Sequence, residues 1–197
     1  MLDPEKIKFY LSLFKNLDLS DLAKIFNLVN KKTLQPHEIF INQGDTNKKV
    51  AYIKKGLVRA YVIKENGDEI TTMVRWEDQI VASYDIIIFN KPSRFIYQAL
   101  EKTELLEVDF DLAQKIANQN PKLDDARRHF LHGMLGESIS KVESFILLSP
   151  EERYLQFIKD KPNIANRIPD KYIASLLGIT PVSLSRIRKR IASTKKR

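Results

Sequence analysis

The sequence predicts an α+β chain: an antiparallel β-roll, then one long helix, then a basic helix-turn-helix. Three observations carry that reading. Between Leu34 and Val108 the apolar residues come in short runs separated by turn signals. From Asp111 to about Leu148 they return to helical spacing. The last quarter of the chain then holds all of its excess positive charge. With 197 residues, 43% hydrophobic and 29% charged, the chain is long enough to bury a core in one or two domains.

In chain order, residues 3–30 read as helical. Leu11, Phe14 and Leu17, then Leu22, Ile25, Phe26 and Val29, recur at helical spacing, with Ser20 as the N-cap of the second segment. Strands are expected at 39–41, 50–53, 57–63, 69–76, 80–83, 95–100 and 104–108. Between them fall Gly44-Asp45, Lys55-Gly56, Asn66-Gly67-Asp68 and Lys91-Pro92-Ser93. Asn66-Gly67 between alternating segments is the strongest local hairpin signal in the sequence. Seven or eight such strands make a double-stranded jelly-roll or barrel. After a short helix at 111–118, stopped by Asn120-Pro121, a longer one runs over 122–148 with two apolar rows. Ala126, Phe130 and Met134 form one; Leu131, Leu135, Ile139, Val142 and Ile146 form the other. One surface helix needs a single apolar row, so the second row points to a partner subunit. Phe130, Met134, Leu135, Ile139 and Val142 are therefore candidate dimer contacts.

Ser149-Pro150-Glu151-Glu152 restarts the chain with a capping box. Domain limits follow at 1–121, 122–148 and 149–197. In the last of these, Ile173, Leu176 and Leu177 line one helix face, and Gly178 offers the left-handed residue that ends it. Thr180 then caps a second helix opened by Pro181. Leu184, Ile187 and Ile191 form its apolar back; Val182, Arg186 and Lys189 face the other way, flanked by Ser183, Ser185 and Arg190. A terminal helical hairpin with a solvated face would show the same periodicity. Charge distribution decides between the two: of 33 Lys/Arg and 25 Asp/Glu, twelve and four lie in 151–197, leaving 21 of each sign before it. A net +8 confined to the motif suits a phosphate backbone.

Other classes are excluded by what the chain lacks. Without cysteine there are no disulfides, thiolate-held iron–sulfur clusters or thiol catalysis, which fits a reducing, cytoplasmic setting. No apolar stretch approaches the ~20 residues of a membrane helix. Of the three histidines only His37 lies in the β region, so a cupin-type metal site cannot be assembled, and His129 and His132 read as solvated or core residues rather than haem ligands. No phosphate loop, nucleophile elbow or acid–base pair is present, and no enzyme is expected. A second reading keeps a small-ligand β-roll whose C-terminal helices bind a protein; the basic quarter argues against it.

The order of parts resembles one family, the cyclic-AMP receptor protein / fumarate–nitrate regulator (Crp/Fnr) transcription factors. Asn42-Gln43-Gly44-Asp45, residues 51–61 (AYIKKGLVRAY), Pro150-Glu151-Glu152-Arg153-Tyr154 and residues 173–180 (IASLLGIT) running into Leu184-Ser185-Arg186-Ile187-Arg188 carry the resemblance. It implies a cyclic-nucleotide-binding-like β-roll, a dimerisation helix and a winged helix-turn-helix, binding a two-fold symmetric DNA site as a homodimer with half-sites ~34 Å apart. It also implies contact with RNA polymerase. Val182, Ser183 and Arg186 then fall where the family meets base edges, with Thr180 and Ser185 beside them. Arg188, Lys189 and Arg190 fall where it meets phosphates. Few residues follow the second helix, so the wing is expected at 163–168. Members that bind cyclic AMP carry Gly-Glu and, about ten residues on, Arg-Ser. Here Ser83 stands for the glutamate and Ser93 for the arginine, with Arg94 one place late. The effector pocket, bounded by Ser83, Tyr84, Ser93 and Arg94, is thus expected to take an unidentified small molecule or none, and not cyclic AMP in the usual geometry.

Overall fold

The computed structural model describes residues 27–119, 121–160 and 162–194. The helical segments expected ahead of residue 27 lie outside the described residues. Eight strands follow among the described residues: β1 (Asn30–Leu34), β2 (Ile39–Ile41), β3 (Lys49–Lys55), β4 (Val58–Ile63), β5 (Glu69–Arg75), β6 (Ile80–Ala82), β7 (Ile96–Ala99) and β8 (Thr103–Asp109). They form two antiparallel sheets, β1-β8-β3-β6 and β2-β7-β4-β5. Inward residues of the two sheets, among them Leu34, Ile41, Ala51, Ile53, Val58, Ala60, Val81 and Leu105, meet in a closed apolar core. Period-two alternation produces this: Ala51 and Ile53 of β3, like Val58 and Ala60 of β4, turn the same face inward.

Two elements depart from the sequence expectation. Asn30, expected at a helix end, begins β1, whose Lys31-Lys32-Thr33 carries no apolar alternation. Its register with β8, from Asn30 opposite Glu107 to Leu34 opposite Thr103, recruits it through the backbone. The stretch after β6 is not loop alone: a short helix, α1 (Tyr84–Ile87), buries Asp85 and Ile86. Gly56 shows how tightly the β3–β4 turn is set. Its φ is +107°, and a Cβ there would lie 2.7 Å from the Thr103 Cα.

Helices then take over: α2 (Phe110–Asn118), α3 (Pro121–Leu147), α4 (Pro150–Asp160), α5 (Pro162–Ala165), α6 (Asp170–Leu176) and α7 (Pro181–Thr194). The capping box opens α4 as expected: the Ser149 amide donates to Glu152 Oε2 at 2.8 Å, and the Glu152 amide to Ser149 Oγ at 3.3 Å. The wing expected at 163–168 is not formed. Pro162, with φ preset for a helix, opens α5 there, and the Arg167 amide closes a turn onto the Ile164 carbonyl. No strand follows Asp109 among the described residues. On α3, Leu135, Ile139 and Val142 are exposed at 59, 50 and 58% and Met134 is half-buried; the Phe130 side chain lies outside the described residues. The second apolar row is thus uncovered in the single chain.

A second core joins the halves. Leu57 and Val74, on the outer face of the β4–β5 sheet, pack with Tyr154, Phe157, Ile168, Ile173, Ala174, Leu177 and Leu184 of the C-terminal helices. Strand β5 is a sheet edge, and α6 covers it: Ser175 Oγ receives the Thr71 amide at 2.7 Å and donates to the Thr71 carbonyl at 3.2 Å. Gly56→Ala is expected to cost about 2–4 kcal/mol in urea unfolding, because the positive φ and the Thr103 backbone are both violated. Gly44→Ala, at φ +86° with open space around it, costs about 1 kcal/mol. Equal losses at the two positions would mean that Thr103 yields.

Candidate nucleic-acid interface

Helices α6 and α7 form the expected helix-turn-helix. Gly178 ends α6 at φ +68°, and a Cβ there would come within 2.7 Å of Phe145 Cε1 on α3, so the turn lies directly on the long helix. Thr180 Oγ1 caps α7 by accepting the Ser183 amide at 3.1 Å. The same oxygen lies 2.9 Å from Ser183 Oγ, which engages both hydroxyls in the cap. Leu184 and Ile187 are buried beneath, as the apolar back requires. Val182 stands 60% exposed, with Ser185, Arg186, Lys189 and Arg190 also on the open surface.

The basic residues of α7 divide into two sets. Arg188 turns inward: its Nε donates to the Tyr154 hydroxyl at 2.9 Å and its Nη1 to Asp170 at 2.5 Å. Burial pushes its pKa down, but these two partners outweigh it and raise it, so the cation is permanent. Arg190 pairs with Glu151 of α4. Arg186 and Lys189 stand exposed beside Val182. Helical spacing places Arg186, Lys189 and Arg190 on or beside the front, and the family resemblance adds Arg188 as a phosphate contact; the packing of α4 and α6 instead draws Arg188 into bracing the motif.

What sets the angle of this motif was not visible in the sequence. Arg59 of β4 is 2% exposed, its guanidinium carbon 3.8 Å from the Tyr61 ring and 4.0 Å from the Tyr172 ring of α6. It donates to Gln98 Oε1 at 3.0 and 2.7 Å and to Glu69 at 2.7 Å, while Nη1 is buried without a hydrogen-bond partner. At the other end of the seam Arg167 grips Glu77 bidentately, at 2.9 and 2.8 Å, and also Glu101. Burial pushes the Glu77 carboxyl up, but Arg167 and the Gly56 amide at 2.8 Å overcome it and hold it at about 2.

The effector positions are satisfied among themselves. Ser83 Oγ donates to Ser93 Oγ at 2.9 Å, and Ser93 Oγ donates to the Phe95 carbonyl at 2.8 Å. Arg94 points outward, its side chain 72% exposed and its Nη2 2.8 Å from Asp85 Oδ1. The Asp85 carboxylate, 4% exposed, also receives the Arg94 amide at 2.9 Å. Burial pushes the Asp85 carboxyl up, yet the Arg94 bonds prevail and hold it below the usual range. Tyr84 turns away from the pair of serines, and its hydroxyl accepts from Arg75 at 2.9 Å. The two serines thus bond to each other, while Arg94 and Tyr84 take their partners elsewhere.

A family model for the cyclic nucleotide-binding domain matches residues 31–120, the β-roll with α2. The anaerobic regulatory protein of Haemophilus influenzae is 31% identical over 146 residues, covering 72% of this chain and 55% of that protein. Electron transport regulator A of Shewanella oneidensis is 28% identical over 189 residues, covering 87% and 72%. The chain thus spans about half the length of the first and under three quarters of the second. Among solved structures, FixK2 from Bradyrhizobium japonicum superposes with a TM-score of 0.74 at 14% identity over 85% of this chain and 86% of that one. A CooA mutant from Carboxydothermus hydrogenoformans gives 0.70 at 16% over 93% and 84%. In sequence and in fold the chain is similar to regulators of the Crp/Fnr type. These superpositions extend the shared architecture beyond the β-roll, through α3 and the helix-turn-helix. Among the described residues no helix is long and apolar enough to cross a membrane, and no group of three acidic or histidine side chains is placed to hold a metal.

Because the folded pKa of Glu77 is lowered, its contribution is present above the unfolded value near 4.5 and is lost as pH falls through about 2. Glu77→Gln is expected to cost about 2 kcal/mol at pH 7, allowing for screening of a pair whose side chains are 29–30% exposed, and to flatten the acid limb of stability below pH 4.5. Thermal unfolding followed from pH 7 to pH 2 checks both; parallel curves for the two proteins would remove Glu77 from the seam's energetics.

Proposed function

We propose that this chain is a transcription regulator that reads double-stranded DNA as a homodimer. The observation that carries the reading is the open face of α7, where Val182, Arg186 and Lys189 stand clear on a helix capped at Thr180 and buried at Leu184 and Ile187. The net +8 of residues 151–197 supports it, as does the regulatory character named for both curated relatives. In this reading residues 1–121 sense or scaffold, 122–148 dimerise and 149–197 read DNA.

Arg186 presents a fork that matches guanine O6 and N7, and Val182 an apolar surface for a thymine methyl. Lys189 serves phosphates, with Ser185 and Arg190 at the flank; Arg188 holds α7 to α4 and α6 so that the face stays aimed. Thr180 and Ser183 shape the helix start that approaches the groove. A second copy would cover Leu135, Ile139 and Val142, with Met134 beside them, and set two α7 helices ~34 Å apart. RNA polymerase is the further partner in this reading. No cyclic-AMP step belongs to it: Ser93 stands where the family's cassette offers a cation, and Arg94, one place on, is paired outward with Asp85.

Selection of bound sites from random duplex DNA at about 0.15 M salt tests the reading, and a two-fold symmetric enriched site is expected without added nucleotide. Arg186→Ala should weaken that site by about tenfold or more and relax one base position in each half-site. Lys189→Ala should weaken all sequences alike and lower the salt slope by about one per subunit. Ile139→Glu should give monomers in sedimentation and lose the two-fold site while α7 stays intact. No enriched site, with binding that fades uniformly with salt, would reduce the basic quarter to a nonspecific patch.

A further inference from the structure

We propose that Glu151, in the first turn of α4, sets how strongly the reading head holds duplex DNA of any sequence, by keeping Arg190 from the phosphates. This role rests on the DNA-binding reading above. Residues 151–197 hold four acids, Glu151, Glu152, Asp160 and Asp170, among twelve basic residues. Two of the four are turned onto arginines of α7: Glu151 pairs with Arg190 and Asp170 with Arg188. Glu152 closes the capping box with Ser149 instead.

The two pairs do different work. Arg188 also donates to the Tyr154 hydroxyl, and it is more enclosed than Asp170, so that pair braces the motif from within. In the other pair the order is reversed: Glu151 is 31% exposed and Arg190 61%. There the carboxylate belongs to the set surface of α4, and the guanidinium is the end that meets solvent. Arg190 follows Arg186 by four residues, one turn on along the same row and about 6 Å further along the axis. The Glu151 carboxylate therefore stands beside the reading face. It takes up one cation there and meets an approaching phosphate with like charge, which weakens the sequence-independent part of binding. Base preference stays with Arg186 and Val182. Glu151 is thus a positioning residue that acts through Arg190 and governs affinity, not sequence.

The test is fluorescence anisotropy of a labelled random-sequence duplex, titrated with the full chain between about 0.05 and 0.3 M salt. Glu151→Gln should bind about tenfold more tightly at about 0.15 M salt, with the salt slope steeper by about one per subunit. Glu151→Asp, which keeps the anion, should stay within about twofold of the wild type. Arg190→Gln should bind about threefold more weakly, because it leaves the carboxylate uncompensated before the phosphates. Adding Glu151→Gln to Arg190→Gln should bring the affinity back to the wild-type value. Glu65→Gln, the same charge change at an exposed position of the β4–β5 turn, should alter neither affinity nor slope. Affinity that does not rise when Glu151→Gln is added to Arg190→Gln would overturn the proposal, since no Glu151–Arg190 pair is left there for the fold to lose. A rise with Glu65→Gln equal to that with Glu151→Gln would overturn it too, by reducing the effect to net charge. Absence of duplex binding by the wild type and every variant alike would instead overturn the DNA-binding reading itself.

Discussion

One buried guanidinium, Arg59, fixes how the reading head sits on the roll. Withdrawing a charge from water is costly, and here ring stacking on Tyr61 and Tyr172, the Gln98 bonds and the Glu69 carboxylate offset that cost, with Nη1 still unsatisfied. Apolar contact between Leu57, Val74, Ile173 and Leu177 supplies the attraction between the halves. The cation supplies geometry: only one placement of α6 puts the Tyr172 ring over it. Undocking would rehydrate Arg59 and recover part of its solvation. A seam of this kind is specific without being irreversible, which a two-state element requires.

The sensor half is shaped by the same economy of charge. In the cassette, buried Asp85 uses its acceptors on Arg94, while Ser83 donates to Ser93 and Ser93 to the Phe95 carbonyl. Opening that cluster to admit a phosphate would have to break these bonds and bring the ligand's charge toward the Asp85 carboxylate. On the far side of Tyr84 the sign reverses, because Arg75 and Lys141 outnumber Glu137.

Much of this was legible in the sequence. Turn signals at Gly56 and Asn66-Gly67, the Ser149–Glu152 box and the Thr180-Pro181 start each act through local backbone chemistry, and each appears where the spacing put it. Strand β1 was not legible, because its partner β8 lies some seventy residues away and Lys31-Lys32-Thr33 has no apolar alternation of its own. The wing failed for the opposite reason: the resemblance asked for a strand, and Pro162 locally favours a helix. Within the site, helical periodicity turned Val182, Arg186 and Lys189 outward, while the resemblance grouped Arg188 with Lys189 as phosphate contacts. Their separation depends on Tyr154 and Asp170, which tertiary packing brings to one side of α7. Arg59 gave no sequence signal at all. An arginine in a strand reads as solvent-facing until a second layer covers it.

The braces around α7 define what can move. Arg188 ties it to α4 and α6, Arg190 ties it to α4 through Glu151, and Arg153 reaches from α4 to the end of α6. Helices α4, α6 and α7 therefore turn as one body. Its covalent link to α3 is the short step at Leu148 and Ser149, where a capping box restarts the helix. Rotation there would have to break the Ser175–Thr71 bonds, the Arg167 grip on Glu77 and Glu101, and the stack on Arg59 together. All three tie the reading head to β4, β5 and the loops beside them, and none goes to α3. The turn of the motif also rests on α3, where Gly178 meets Phe145 and the Arg153 guanidinium lies 4.7 Å from the centre of the same ring. In the proposed dimer, joined along α3, the spacing of the two α7 helices would depend on both supports, the β4–β5 edge that holds α6 and the Phe145 contact.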